Sequence, residues 1–163
     1  MKQCIISAVF TEREEELMGK AIALARETAA AGEVPVGCVI ELNGEVIGRG
    51  ANRTVRDSDP TAHAEMVALR EAATKFGDHR LEGARLFVTV EPCLMCLGAI
   101  LLARITDVYY GTDEPKFGAV TSRFALAKHE RFRKVRFHGG LMADEAKELL
   151  ADFFERLRAE GGE

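Results

Sequence analysis

The sequence predicts an α/β domain of three layers, with helices on both faces of a mixed five-stranded sheet. Two observations carry that expectation: helical and β-rich segments alternate along most of the chain, and the first two strands flank an Asn-Gly turn. No repeat, low-complexity tract or linker divides the 163 residues, and 47% hydrophobic with 29% charged residues suits one compact unit over 1–163. No apolar run approaches the roughly 20 residues of a membrane span, and "MKQCIISAVF" lacks the features of a secretory signal, so a soluble, cytoplasmic protein is expected.

Thr11 with Glu14 forms a capping-box pattern, and Leu17, Ala21, Leu24 and Ala25 keep a helical period up to the stop at Gly32. "VGCVIELNGEVIGRG", residues 36–50, reads as two antiparallel strands, because Asn43-Gly44 suits a turn whose central residues both need positive φ. After a polar loop, Thr61 is expected to cap a helix running to about Phe76, with Met66, Leu69 and Ala73 on its apolar side. "ARLFVTV", residues 84–90, reads as a buried strand, "CLMCLGAILLA" as a helix and "ITDVYYG" as another strand. A loop from Thr112 to Ser122 leads into "RFALAKHERF", which fits neither period. A short strand near Val135 to Phe137 and a helix from about Ala143 to Arg158 complete the pattern.

Four cysteines without a secretion signal favour thiols, metal ligands or catalysis over disulfides. Cys4 and Cys38 stand alone, whereas Cys93 and Cys96 are three apart at the start of a helix, where unpaired N–H groups favour thiolate. That pair alone fits a redox site or buried thiols as well as a metal. Of the four histidines, only His63 also opens a helix beside a strand. Such corners gather at one edge of an α/β sheet, so His63, Cys93 and Cys96 are expected to share one zinc ion. Three protein ligands leave a fourth position for water, whose pKa zinc brings to about 7. Glu65, two residues after His63, is then placed to carry the proton. Taken alone, an HxE pair is more often a helix surface, and His79, His129 and His138 are read as solvated or structural.

The string from HAE at 63–65 to PCLMC at 92–96 resembles the H-x-E…P-C-x-x-C signature of the cytidine and deoxycytidylate deaminase superfamily. Within it, "EVPVGCVI", "NR" at 52–53, "DPTAHAEMVALR", "VTVEPCLMCLGAILLARI" and "DFF" at 152–154 resemble the bacterial tRNA-specific adenosine deaminases, in order, over about residues 11–158. The resemblance implies a cytidine deaminase-like fold, one zinc per subunit, and hydrolytic conversion of the wobble adenosine of a tRNA anticodon stem-loop to inosine. It also implies that Glu65 protonates the ring and then the departing amine. By position, Asn52 corresponds to a polar contact to the nucleotide, Val34 and Pro35 to the pocket wall, and Phe154 to an aromatic near the flanking bases. Lys116, Arg156 and Arg158 could neutralise phosphates. From chemistry alone, Asn52 also suits a turn and Phe154 a helix core.

The sequence departs from the family at "KFGAVTS", where Thr121 replaces a second Gly, and at "ERFRKVRF", where the family tends to carry an Asn-His pair. Both changes lie away from the metal motifs. A net charge of -4 argues against a uniformly basic RNA-binding surface but leaves room for a local patch. The alternative is therefore a deaminase of a free nucleobase or nucleoside such as guanine, cytosine or cytidine. A third reading, a zinc-stabilised scaffold without catalysis, leaves Glu65 without a purpose. "LGAILLARI" is apolar on more than one side and, with the resemblance, points to a homodimer, although a helix buried within its own domain would look the same.

Overall fold

The computed structural model of the protein describes residues 9–161; Cys4 lies outside them. Helix α1, Glu12–Ala30, begins at the expected capping box: Thr11 accepts from the Glu14 amide while the Glu14 carboxylate accepts from that of Thr11. The hairpin follows as strands β1, Gly37–Leu42, and β2, Glu45–Ala51, with Asn43 at φ 52° and Gly44 at φ 88°. Then come α2, Ala64–Phe76; β3, Arg85–Val90; α3, Leu94–Leu102; β4, Asp107–Thr112; β5, Arg136–Gly139; and α4, Ala143–Glu160.

The sheet order is β2-β1-β3-β4-β5. Strand β1 is antiparallel to both neighbours, whereas β3, β4 and β5 run parallel, so the five-stranded sheet is mixed as expected. Alternation along the strands sorts the two faces. Val39, Phe87 and Tyr109 pack with Leu17, Met18 and Ile22 of α1, on the face that α4 also covers. Cys38, Ile40, Leu86, Val88 and Val108 pack with Ala68 and Leu69 of α2 and with Leu97 and Ile100 of α3. The result is three layers.

Helix α2 lies directly on β2. A Cβ on Gly50 would stand 2.0 Å from the Ala64 carbonyl oxygen, and one on Gly48 2.4 Å from that of Ala68, so glycine lets the helix backbone touch the strand. Two expectations about α2 are corrected, the first by that contact. Its buried side is Ala64, Glu65, Ala68, Leu69 and Ala72, with Met66 and Ala73 only half-buried, because the glycine seat selects the small residues spaced four apart. Thr61 is not its cap. The Asp59 carboxylate accepts from both the Thr61 amide and hydroxyl, and the helix starts two residues later with His63 as N-cap. The indeterminate stretch after residue 122 forms two short 3-10 turns, Leu126–Lys128 and Glu130–Phe132, and β5 begins one residue later than expected.

Candidate active site

Strands β3 and β4 end at one edge of the sheet, where β1 begins and β2 ends. This edge brings the N-termini of α2 and α3 together. His63 is the N-cap of α2 and Cys93 that of α3, yet neither side chain caps its helix; both turn inward instead. Cys96, in the first turn of α3, is buried behind them. His63 Nδ1 lies 3.6 Å from Cys93 Sγ and 3.6 Å from Cys96 Sγ, and the three ligand atoms all lie within 4.8 Å of one another. Tetrahedral zinc with bonds of about 2.05 Å to nitrogen and 2.3 Å to sulfur would separate those atoms by about 3.6 Å. Both imidazole-to-sulfur distances therefore match the metal, and the donor set fits it.

The electrostatics point the same way. The Cys93 thiol is lowered to about 4, chiefly by the hydrogen bond from Cys96 and against its own burial, with His63 adding to the effect. Cys96 is raised, because it donates that bond and is buried, so the two sulfurs share a proton that a divalent ion would expel. His63 is raised by its bond to Cys93. Glu65, on the second residue of α2, is 4% exposed, and burial pushes its carboxyl up to about 7.

These groups open onto a cavity of about 610 Å³, large enough for a nucleoside. His63, Glu65 and Cys93 line its floor and Val34, Val36 and Val90 its apolar wall, while Asn52, Lys116 and Phe154 also face it. Pro35 does not line it. The Val36 amide bonds back to the Val34 carbonyl at 2.8 Å, a tight turn centred on Pro35, which leaves Val34 and Val36 facing the cavity while Pro35 is buried. Phe154 is 43% exposed and Phe153 supplies the core contact, so the helix-core alternative for Phe154 does not hold. His79 is exposed, His129 accepts from the Arg131 amide, and His138 meets Asp107; none reaches the cavity.

Two carboxylates that sequence reasoning passed over shape the rim. Glu33, 1% exposed, accepts from the Arg56 amide at 2.6 Å, the Val55 amide at 3.3 Å and Asn52 Nδ2 at 3.4 Å. Asn52 thus both braces its loop and faces the cavity. Glu91, 3% exposed, accepts from the amides of Thr121 at 2.7 Å and of Ser122 and Glu114 at 3.0 Å, and from the Ser122 hydroxyl. Burial raises its pKa, but those bonds outweigh it and hold the carboxyl below its ordinary value. The only signal in the sequence was position: one carboxylate precedes "VPVGC" and the other precedes "PC".

The described chain matches the model of the cytidine and deoxycytidylate deaminase zinc-binding region over residues 11–112. It is 40% identical to a tRNA-specific adenosine deaminase of Streptococcus pyogenes serotype M1 over 148 residues, which cover 90% of this chain and 86% of that protein. A Deinococcus radiodurans protein named tRNA(Ile)-lysidine synthase is 47% identical over 143 residues, or 86% of this chain, which spans only 24% of that longer protein. A solved structure from a study of A-to-I editing by tRNA:A34 deaminases superposes with a TM-score of 0.78 at 42% identity, covering 83% of this chain and 99% of that one. The chain belongs to the cytidine and deoxycytidylate deaminase family, in the branch that holds the bacterial tRNA-specific adenosine deaminases.

Proposed function

We propose that this protein is a zinc-dependent hydrolase that converts the wobble adenosine of a tRNA anticodon loop to inosine. One observation carries the reading: an imidazole and two sulfurs gather at zinc-binding spacing, and the imidazole and one of the sulfurs line a cavity together with a buried carboxylate. His63, Cys93 and Cys96 are the ligands. Zinc bound there supplies Lewis acidity that lets water react at neutral pH. Glu65 takes the proton of the attacking water, passes it to the purine ring nitrogen and assists the departing amine, so adenosine and water become inosine and ammonia. The apolar wall excludes bulk water around the base, and the Asn52 amide offers a hydrogen bond to ribose or base edge. Phe154 at the mouth gives a flanking base a surface to stack on, and Lys116 faces its phosphates.

The chain works as a cytoplasmic homodimer in this reading. Leu94 is 47% and Leu102 78% exposed on α3, an apolar surface that a second copy would cover. Among the described residues, no helix is long and apolar enough to cross a membrane.

The test is inosine formation on an anticodon stem-loop, run beside ammonia release from free guanine, cytosine and cytidine. Activity on the RNA alone is expected; turnover of only the free compounds would overturn the substrate. Glu65→Ala should keep zinc and fold but lose about 10²–10⁴-fold in rate. Full activity in that variant would remove Glu65 from its role.

A further inference from the structure

Between residues 123 and 136 the chain carries six cations and one carboxylate, Glu130, so this segment holds +5 in a protein of net charge -4. Many basic residues elsewhere are neutralised by a neighbour: Arg13 by Glu16, Arg53 by Asp57, Lys75 by Glu45, Arg104 by Glu82. Within the segment only Arg136 is, by Asp107. Arg123, Lys128, Arg131, Arg133 and Lys134 are exposed, and among the described residues none of them makes an ion pair.

These five cations are held on a firm backing. Phe132 and Val135 are 7% and 2% exposed and turn inward to the core beneath α2 and α3, and the amides of Leu126 and Ala127 bond to the carbonyls of Ala119 and Val120. The segment starts where Glu91 clasps Ser122 at the cavity rim, and it ends where the Arg136 amide bonds to Thr106, ahead of the first residue of β4. It therefore runs the depth of the sheet, about 20 Å for six-residue strands. Five unpaired cations distributed along that span, with exposed Phe124 at the rim end, suit an extended polyanion.

We propose that this cationic strip, Arg123 to Lys134, grips the phosphate backbone of the RNA stem whose loop base enters the cavity. The inference rests on the proposed RNA substrate. A base seated in the cavity leaves its own stem outside the rim, and the strip is the cationic surface that continues from that rim in the chain. Anionic membrane is the weaker partner here, since the cations sit on short turns with no amphipathic helix to enter a bilayer.

The experiment measures binding of a labelled stem-loop carrying guanosine in place of the target adenosine, so that affinity is read apart from chemistry, and inosine formation on the natural stem-loop in parallel. Wild type is compared with R131Q/R133Q/K134Q, with R123Q/K128Q, and with R80Q/R104Q, whose cations are already paired. The triple variant should flatten the dependence of log affinity on log salt by about 2 and weaken binding roughly tenfold near physiological salt, the R123Q/K128Q variant somewhat less, and R80Q/R104Q not at all. Zinc content and thermal midpoint should stay at wild-type values throughout. If wild type makes inosine while the triple variant binds unchanged, the strip is overturned and the substrate reading stands. If wild type binds the stem through the strip but makes no inosine, the substrate reading fails and the strip stands. Strip-dependent binding to phosphatidylserine-containing vesicles but not to RNA would overturn the proposal.

Discussion

The metal corner stands on the first residues of two helices, whereas the rim facing it, residues 113–122, is a run of turns gathered around a single carboxylate and pinned to the corner by one bridge, Gly118 to Cys93. In the corner, each ligand's position is set by a backbone that is itself packed: α2 against Gly48 and Gly50, and α3 through buried Cys96, Leu97 and Ile100. At the rim, four bonds converge on Glu91 across more than twenty residues of sequence. The corner is built for fixed distances; the rim is tied to it where Gly118 bridges to Cys93 and the Ala119 amide bonds to the Pro92 carbonyl, and the rest of its shape hangs on Glu91. The two departures from the family pattern, Thr121 and the basic run after it, fall in and beyond the rim.

If that division is right, damage to each region has a different signature. The largest effect is expected from Cys96→Ala. With one of three ligands gone, bound zinc should fall to roughly a tenth or less by elemental analysis and activity with it; an unchanged metal content would break the picture of the corner. Next comes Gly50→Ala, which drives a methyl group into the Ala64 carbonyl, between His63 and Glu65. A loss of about 1–3 kcal/mol in denaturant unfolding is expected, with weakened zinc affinity, because the seat of α2 has moved. Retained zinc affinity despite that loss would show that the ligands are placed independently of the strand contact.

Glu91→Gln should act chiefly on the rim. Replacing one acceptor oxygen by an amide forfeits bonds worth about 1–2 kcal/mol, so KM for the RNA should rise roughly 5–30-fold. Its zinc content should not change, and kcat should stay within about twofold. A fall in kcat at constant KM would merge the two regions. The smallest effect belongs to Asp107→Asn, at the far edge of the sheet. There Asp107 lies below its ordinary pKa: burial raises it, but His138 and Arg136 outweigh burial. A depressed carboxyl stabilises the fold above its unfolded pKa near 3.9 and loses that contribution as pH falls below it. The variant should be less stable by about 1 kcal/mol at pH 7, with the gap closing below pH ~4, and neither zinc nor KM should move.

Local chemistry made much of this legible in advance. A capping box, an Asn-Gly turn and the stop at Gly32 each act through neighbours within four residues, and each appears where its residues stand. Segment 122–133 resisted because its turns are held by Ala119, Val120 and the buried Phe132, contacts that no local period encodes. Thr61 misled for a related reason: a better acceptor, Asp59, stood two residues before it and took the hydroxyl.

What the residues determined by themselves was the set of parts: strands and helices in order, and an imidazole, two thiols and a carboxylate each at the head of a helix. Convergence was left to tertiary structure. The pairing of β1 with both β2 and β3, and the glycine seat of α2 on β2, bring Nδ1 within 3.6 Å of sulfurs thirty and thirty-three residues away. The same holds for Glu33 and Glu91. A buried carboxylate gains its role from whichever amides the fold delivers to it, and those amides lie 19 to 31 residues distant, beyond the reach of any pattern in the chain.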